Sequence, residues 1–137
     1  MMQDWLFPYA STVSSIGAGG VLLLAQLVVL DVAGIRGGHA PGAPIATDPS
    51  NFLFRASRAH ANTNESIAAF ILFALYGIFS NASPGWLGAA AWTWVAARAA
   101  HMLFYYANIP IARSVSFGVG LLALIAMFAC GFAASAR

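Results

Sequence analysis

Four stretches of this chain are each long and apolar enough to cross a lipid bilayer, and nothing else limits the fold as strongly. A spanning helix needs about 20 mostly apolar residues, and runs of that kind occupy residues 13–35, 52–79, 86–107 and 112–134. Between them lie Gly37-Gly38-His39-Ala40-Pro41-Gly42-Ala43-Pro44, Asn81-Ala82-Ser83-Pro84-Gly85 and Asn108-Ile109-Pro110, all turn-forming segments. Asp48-Pro49-Ser50-Asn51 offers capping groups before the second run. The first run is longer than a signal-peptide core, and no basic segment precedes it, so a spanning helix is expected there. The expected fold is all-α: one integral membrane domain over residues 1–137, built as a four-transmembrane-helix bundle.

Composition agrees. Charged residues make up 7% of the chain and apolar residues 61%, against about a quarter charged in a soluble domain. The six basic residues are all arginine: Arg36, Arg55, Arg58, Arg98, Arg113 and Arg137. Arginine is suited to planar recognition of carboxylates; a genome rich in G and C favours the same residue but does not explain its positions. No basic run points to nucleic acid. The single Cys130 supports no disulfide framework. The first and third loops, with the adjoining helix ends, hold Arg36, Arg55, Arg58 and Arg113, whereas the other side holds Arg137 alone. The positive-inside rule then puts loops 1 and 3 in the cytoplasm and both termini outside.

Where the charges sit within the spans is informative. Arg55, Arg58, Asn62 and Glu65 fall at i, i+3, i+7 and i+10, within about an 80° arc of one helix. Arg98, His101 and Tyr105 make a second stripe on the third span, and Arg113 opens the fourth. An arginine at the membrane centre costs about 2.5–3.5 kcal/mol, so these stripes are expected to meet inside the bundle. Glu65 could brace Arg58 or Arg98 as an internal counter-ion. One carboxylate does not balance four arginines, so an anionic ligand is expected as well. Lipid phosphate at the interface is one candidate. A small peptide-like carboxylate is the other, and it would use Asn62 and Glu65 too.

Other polar residues carry simpler readings. Asp31 lies inside the first span, as a salt-bridge partner for Arg113 or a modulator of the site. His60 reads as a local hydrogen-bonding or interface residue. Trp86, Trp92 and Trp94 read as membrane anchors or packing, and Gly17, Gly19 and Gly20 as points of close helix approach. His39, His60 and His101 lack ligand spacing with Cys130 or paired carboxylates, so no metal is expected. A channel using the stripes as a path is a further class, but the polar residues stop short of the opposite face.

The segment Arg55-Ala56-Ser57-Arg58-Ala59-His60-Ala61-Asn62-Thr63-Asn64-Glu65, followed by Phe70, resembles the second-helix signature of the MAPEG family, the membrane-associated proteins in eicosanoid and glutathione metabolism. Arg98-Ala99-Ala100-His101 with Tyr105, and Ile111-Ala112-Arg113-Ser114, resemble the family's third- and fourth-helix motifs. Two positions depart from the pattern: Ala69 stands where proline often precedes the phenylalanine, and Phe54 where glutamate often precedes the first arginine.

The resemblance implies a bacterial-type, microsomal glutathione transferase-like protein of the inner membrane, assembled as a homotrimer. Glutathione would serve as co-substrate between adjacent subunits, with membrane lipid and a lipophilic substrate as the other partners. Carried over residue by residue, Arg58, Asn62 and Glu65 would be glutathione contacts, as would Arg98, His101 and Tyr105. Arg36 and Arg55 would lie near the cytoplasmic entrance. Arg113 would stabilise the glutathione thiolate, with Tyr105 as a hydrogen-bond donor to it or a member of an interfacial aromatic belt. A thiol of pKa about 8.5 is only slightly ionised at neutral pH, and a fixed guanidinium beside the sulfur favours the anion. The implied chemistry is conjugation or reduction of lipophilic electrophiles or peroxides; a non-catalytic binding or scaffold protein on the same fold is the alternative.

Overall fold

The computed structural model describes residues 5–136. After a short 3₁₀ turn at Phe7–Tyr9, the chain forms four helices: α1 (Ala10–Arg36), α2 (Phe52–Phe79), α3 (Pro84–Tyr106) and α4 (Pro110–Ser135). No strand occurs among the described residues. Arg137, the basic residue assigned to the outer side, lies outside them. At 1.5 Å per residue these helices are about 35–42 Å long. Two meet a strict test of length and apolarity for crossing a membrane: the stretch Phe7–Arg36, and α4. The other two carry the polar stripes, which lower their hydropathy without shortening them.

Local chemistry ends the helices where the breakers stand. Gly38, Asn81 and Asn108 adopt positive φ just past the ends of α1, α2 and α3. At each end the next residue closes the turn: His39 N–H donates to Gly34 O, Ala82 to Gly77 O and Ile109 to Phe104 O, at 2.9–3.0 Å. This is the Schellman arrangement, which satisfies carbonyls the helix leaves unpaired. Pro84 and Pro110 then open the next helices, where a missing N–H costs nothing. At the start of α2 the Asn51 side chain accepts from Leu53 N–H at 2.9 Å.

α2 and α3 each touch all the other helices, with α1 on one flank and α4 on the other. Phe70 and Trp94 stack at the centre, centroids 4.1 Å apart and planes 9° off parallel. Gly19 on α1 lies over this pair: a Cβ there would be 3.3 Å from Phe70 and 3.4 Å from Trp94. Gly17 and Gly20 face open space, so only Gly19 of the three provides close approach within the protomer. Trp94 is thus a core residue, whereas Trp86 and Trp92 are exposed. Away from α2 and α3, α1 and α4 present Val21, Leu24, Val28, Leu122 and Ile125 outward, as lipid-facing helices do. At the far end Tyr9 Oη donates to Ala82 O at 2.7 Å, tying the N-terminal turn to the α2–α3 turn.

Candidate functional site

The stripe on α2 divides between two roles. Arg55 and Asn62 turn towards α3. Arg55 Nη1 donates to Pro49 O and Ser50 O at 2.9 and 2.7 Å, and its Nη2 donates to Tyr106 O at 3.4 Å. One guanidinium therefore joins the first loop to the last turn of α3, whose carbonyls lack helical partners. Asn62 Oδ1 accepts a hydrogen bond from Arg98 Nη1. Arg58 and Glu65 are exposed on the protomer surface. The sequence left open a brace between Glu65 and Arg58 or Arg98; the structure gives the Arg98 hydrogen bond to Asn62 instead. Glu65 lies three residues further on, is exposed, and makes no hydrogen bond to Arg98 among the described residues.

Arg98 is only 2% exposed. Its Cζ lies 5.9 Å from the Trp94 ring centroid and 5.1 Å from that of Phe117, and such aromatic faces partly replace lost hydration. Gly120 makes room for it, since a Cβ there would be 3.3 Å from Arg98 Nε. One turn along α3, His101 is also buried; its ring meets Tyr105 edge-on at 4.9 Å and 74°. Arg113 Cζ sits 4.3 Å from the centroid of the Tyr105 ring. Tyr105 is thereby held between His101 and Arg113, which sets the direction of its hydroxyl. Arg113 lies in the first turn of α4, where the helix dipole adds positive potential.

Tyr105 and Arg113 line a cup of about 280 Å³ at the loop end of the bundle, with Pro49, Phe54, Arg55, Arg58, Asn108 and Pro110. Among the described residues, three arginines and no carboxylate form its wall. Asn62, Arg98 and His101 stand behind it as a second layer, and Glu65 lies about 10 Å deeper than Arg58 along α2. Arg36 is elsewhere: it lines a cavity of about 730 Å³ between the end of α1 and the first loop. Asp31 lines a third cavity, with His39 and the Pro41-Gly42-Ala43 turn. Asp31 and Arg113 therefore do not pair within one protomer, because α1 and α4 occupy opposite flanks of α2 and α3.

Sequence reasoning missed Phe117 and Gly120. Their signal was present: Arg113, Phe117 and Gly120 are at i, i+4 and i+7, one face of α4. The contribution of the Pro49, Ser50 and Tyr106 carbonyls had no such signal, since backbone acceptors are invisible in residue types.

The MAPEG family model matches residues 13–133. This chain belongs to the MAPEG family. That match takes in all of α2 and α3 and nearly all of α1 and α4, so the residues lining the arginine cup lie within the matched region. Membership identifies a membrane-associated protein of the glutathione or eicosanoid type. No curated protein matched this MAPEG chain, and no solved structure matched it either.

Proposed function

We propose that this MAPEG protein is a membrane-embedded glutathione transferase, with peroxidase chemistry open to the same thiolate, working as a homotrimer with glutathione between subunits. The observation that carries the proposal is the cup of Arg55, Arg58 and Arg113 around Tyr105, with no acid in its wall. Ligand pockets usually span about 300–1,000 Å³. The cup alone therefore fits part of a tripeptide. The remainder would lie along the exposed Arg58 and Glu65 face, under an adjacent subunit that brings Arg36.

In this reading the glutathione carboxylates meet arginine, its amino group meets Glu65, and its sulfur lies between Arg113 and the Tyr105 hydroxyl. Arg98 and His101 act from behind, holding Asn62 and Tyr105 in place. The thiolate attacks an electrophilic carbon, forming a C–S bond while the leaving group departs with its bonding electrons. With a hydroperoxide it attacks oxygen and the O–O bond breaks, giving an alcohol and a sulfenic acid; a second glutathione then yields the disulfide and water. A bundle exposing this much apolar surface gives lipid-dissolved substrates direct access. Loops 1 and 3 face the cytoplasm of a bacterial inner membrane, where the arginines cluster.

Titrating detergent-solubilised protein with glutathione tests this. The expected result is thiolate absorbance near neutral pH, lost in Arg113→Ala while glutathione binding is partly retained. Binding without thiolate in the native protein would leave a scaffold role, and absence of binding would overturn the reading.

A further inference from the structure

Two charges of opposite sign, Asp31 and Arg58, make no ion pair within one copy among the described residues. Asp31 is an exposed carboxylate inside the apolar helix α1, and among the residues lining its cavity His39 is the only other ionisable one. Arg58 is exposed in a cup that contains no carboxylate. Neither is expected to face lipid, where an isolated charge is costly.

The two lie at nearly one depth. A Cβ on Gly34 would be 3.9 Å from the Leu53 side chain, which sets the register of α1 against α2. Asp31 is three residues deeper than Gly34, about 4.5 Å, while Arg55 and Arg58 lie about 3 and 7.5 Å deeper than Leu53. Rotation about a membrane normal preserves depth, so Asp31 of one copy stands level with the arginines of the next.

The face carrying Asp31 is built for another helix. Gly17, Gly20, Leu24, Leu27 and Asp31 fall within about an 80° arc of α1. All are exposed, and both glycines look onto open space. Small residues that admit a close backbone, with one polar group among them, are how membrane helices associate.

We propose that Asp31 of one copy enters the arginine cup of the neighbouring copy and pairs there with Arg58. The proposal rests on the trimeric reading above, since it makes the site incomplete without a second chain. Arg58 is the partner because the other two arginines are engaged: Arg55 donates to three carbonyls, and Arg113 lies over Tyr105. The pair neutralises part of the cup before ligand arrives. A ligand carboxylate then exchanges with Asp31 on Arg58 and does not enter an unbalanced positive site.

The test needs no glutathione, so its failure is distinct from failure of the catalytic reading. In full-length Cys130→Ala protein in native membranes, Asp31→Cys and Arg58→Cys are combined and treated with a short bis-maleimide. The expected product is a covalent ladder of dimer and trimer, absent from either single-cysteine chain. Linkage only within one chain, linkage by Asp31→Cys alone, or no linkage overturns the proposal. A charge exchange gives an independent reading. Asp31→Arg and Arg58→Asp should each lower the trimer fraction about tenfold or more, and the double variant should restore it. Equal trimer content in all four proteins, or failure of the double variant to recover, overturns the pairing.

Discussion

The two ends of this bundle are built on opposite principles. At the far end, glycines bring helices into close contact: a Cβ on Gly131 would be 2.6 Å from the Tyr76 ring, and one on Gly77 would be 2.7 Å from Leu87. Tyr9 and Tyr76 spend their hydroxyls on Ala82 O and Ser135 Oγ. At the loop end, arginines stand around a cup, and Arg55 bonds to backbone carbonyls of the first loop and of α3. Close helix contact is therefore concentrated at the far end and the arginine cup at the loop end. The buried Arg98, which reaches Asn62 while stacking beside Trp94 and Phe117, connects the two.

The largest test of this division is Phe70→Ala. Removing a fully buried ring from the central stack should cost about 3–5 kcal/mol, read as a lower thermal midpoint in detergent. The protein that remains folded should still form thiolate with glutathione; loss of thiolate without loss of stability would break the comparison. Arg113→Ala should do the reverse. Turnover is expected to fall by about 10²–10³-fold, with the thermal midpoint hardly moved, because the side chain stacks on one ring at the edge of the bundle. Next in size is Gly131→Val, which forces new methyl groups against a rigid ring. Overpacking of this kind costs about 1–3 kcal/mol, and thermal unfolding should show it while glutathione affinity stays unchanged.

The smallest effect is at Asp48, outside the spans. The Ser50 hydroxyl and then the Ser50 N–H, both donating to the carboxylate, hold Asp48 below the usual carboxylate range. A depressed folded value stabilises fully above the unfolded carboxylate value of about 3.9 and is lost as pH falls through the folded one. Native protein and Asp48→Ala should therefore differ slightly at neutral pH and converge in acid unfolding curves. A gap that widens in acid would show that another group carries this stabilisation.

The all-helical fold was legible because spans and breakers are written in residue types: Gly38, Asn81 and Asn108 end helices for reasons visible in the sequence. The face of α2 that carries the polar residues was legible from periodicity. Its division was not. Whether Arg55 meets carbonyls or a ligand depends on where the first loop folds back, and Pro49 O and Ser50 O leave no trace in a pattern of side chains. The exposure of Glu65 was hidden for a related reason: a stripe spanning about 80° can straddle the boundary between a neighbour helix and the outside. Asp31 and Arg36 were visible as residues out of place. Their separation from the cup follows from helix order around the bundle, which periodicity does not encode.

The α3–α4 turn has a consequence for how such a site can change. Asn108 closes α3 and Pro110 opens α4, so only Ala107, Asn108 and Ile109 separate the helix carrying Tyr105 from the one carrying Arg113. Inserting one residue into α4 ahead of Arg113 would swing that guanidinium through about 100° and away from the tyrosine ring. The placement of Arg113 over Tyr105 is therefore set by spacing as much as by residue identity. A single-codon insertion or deletion could reassign which atom the charge addresses while every side chain of the site stayed the same.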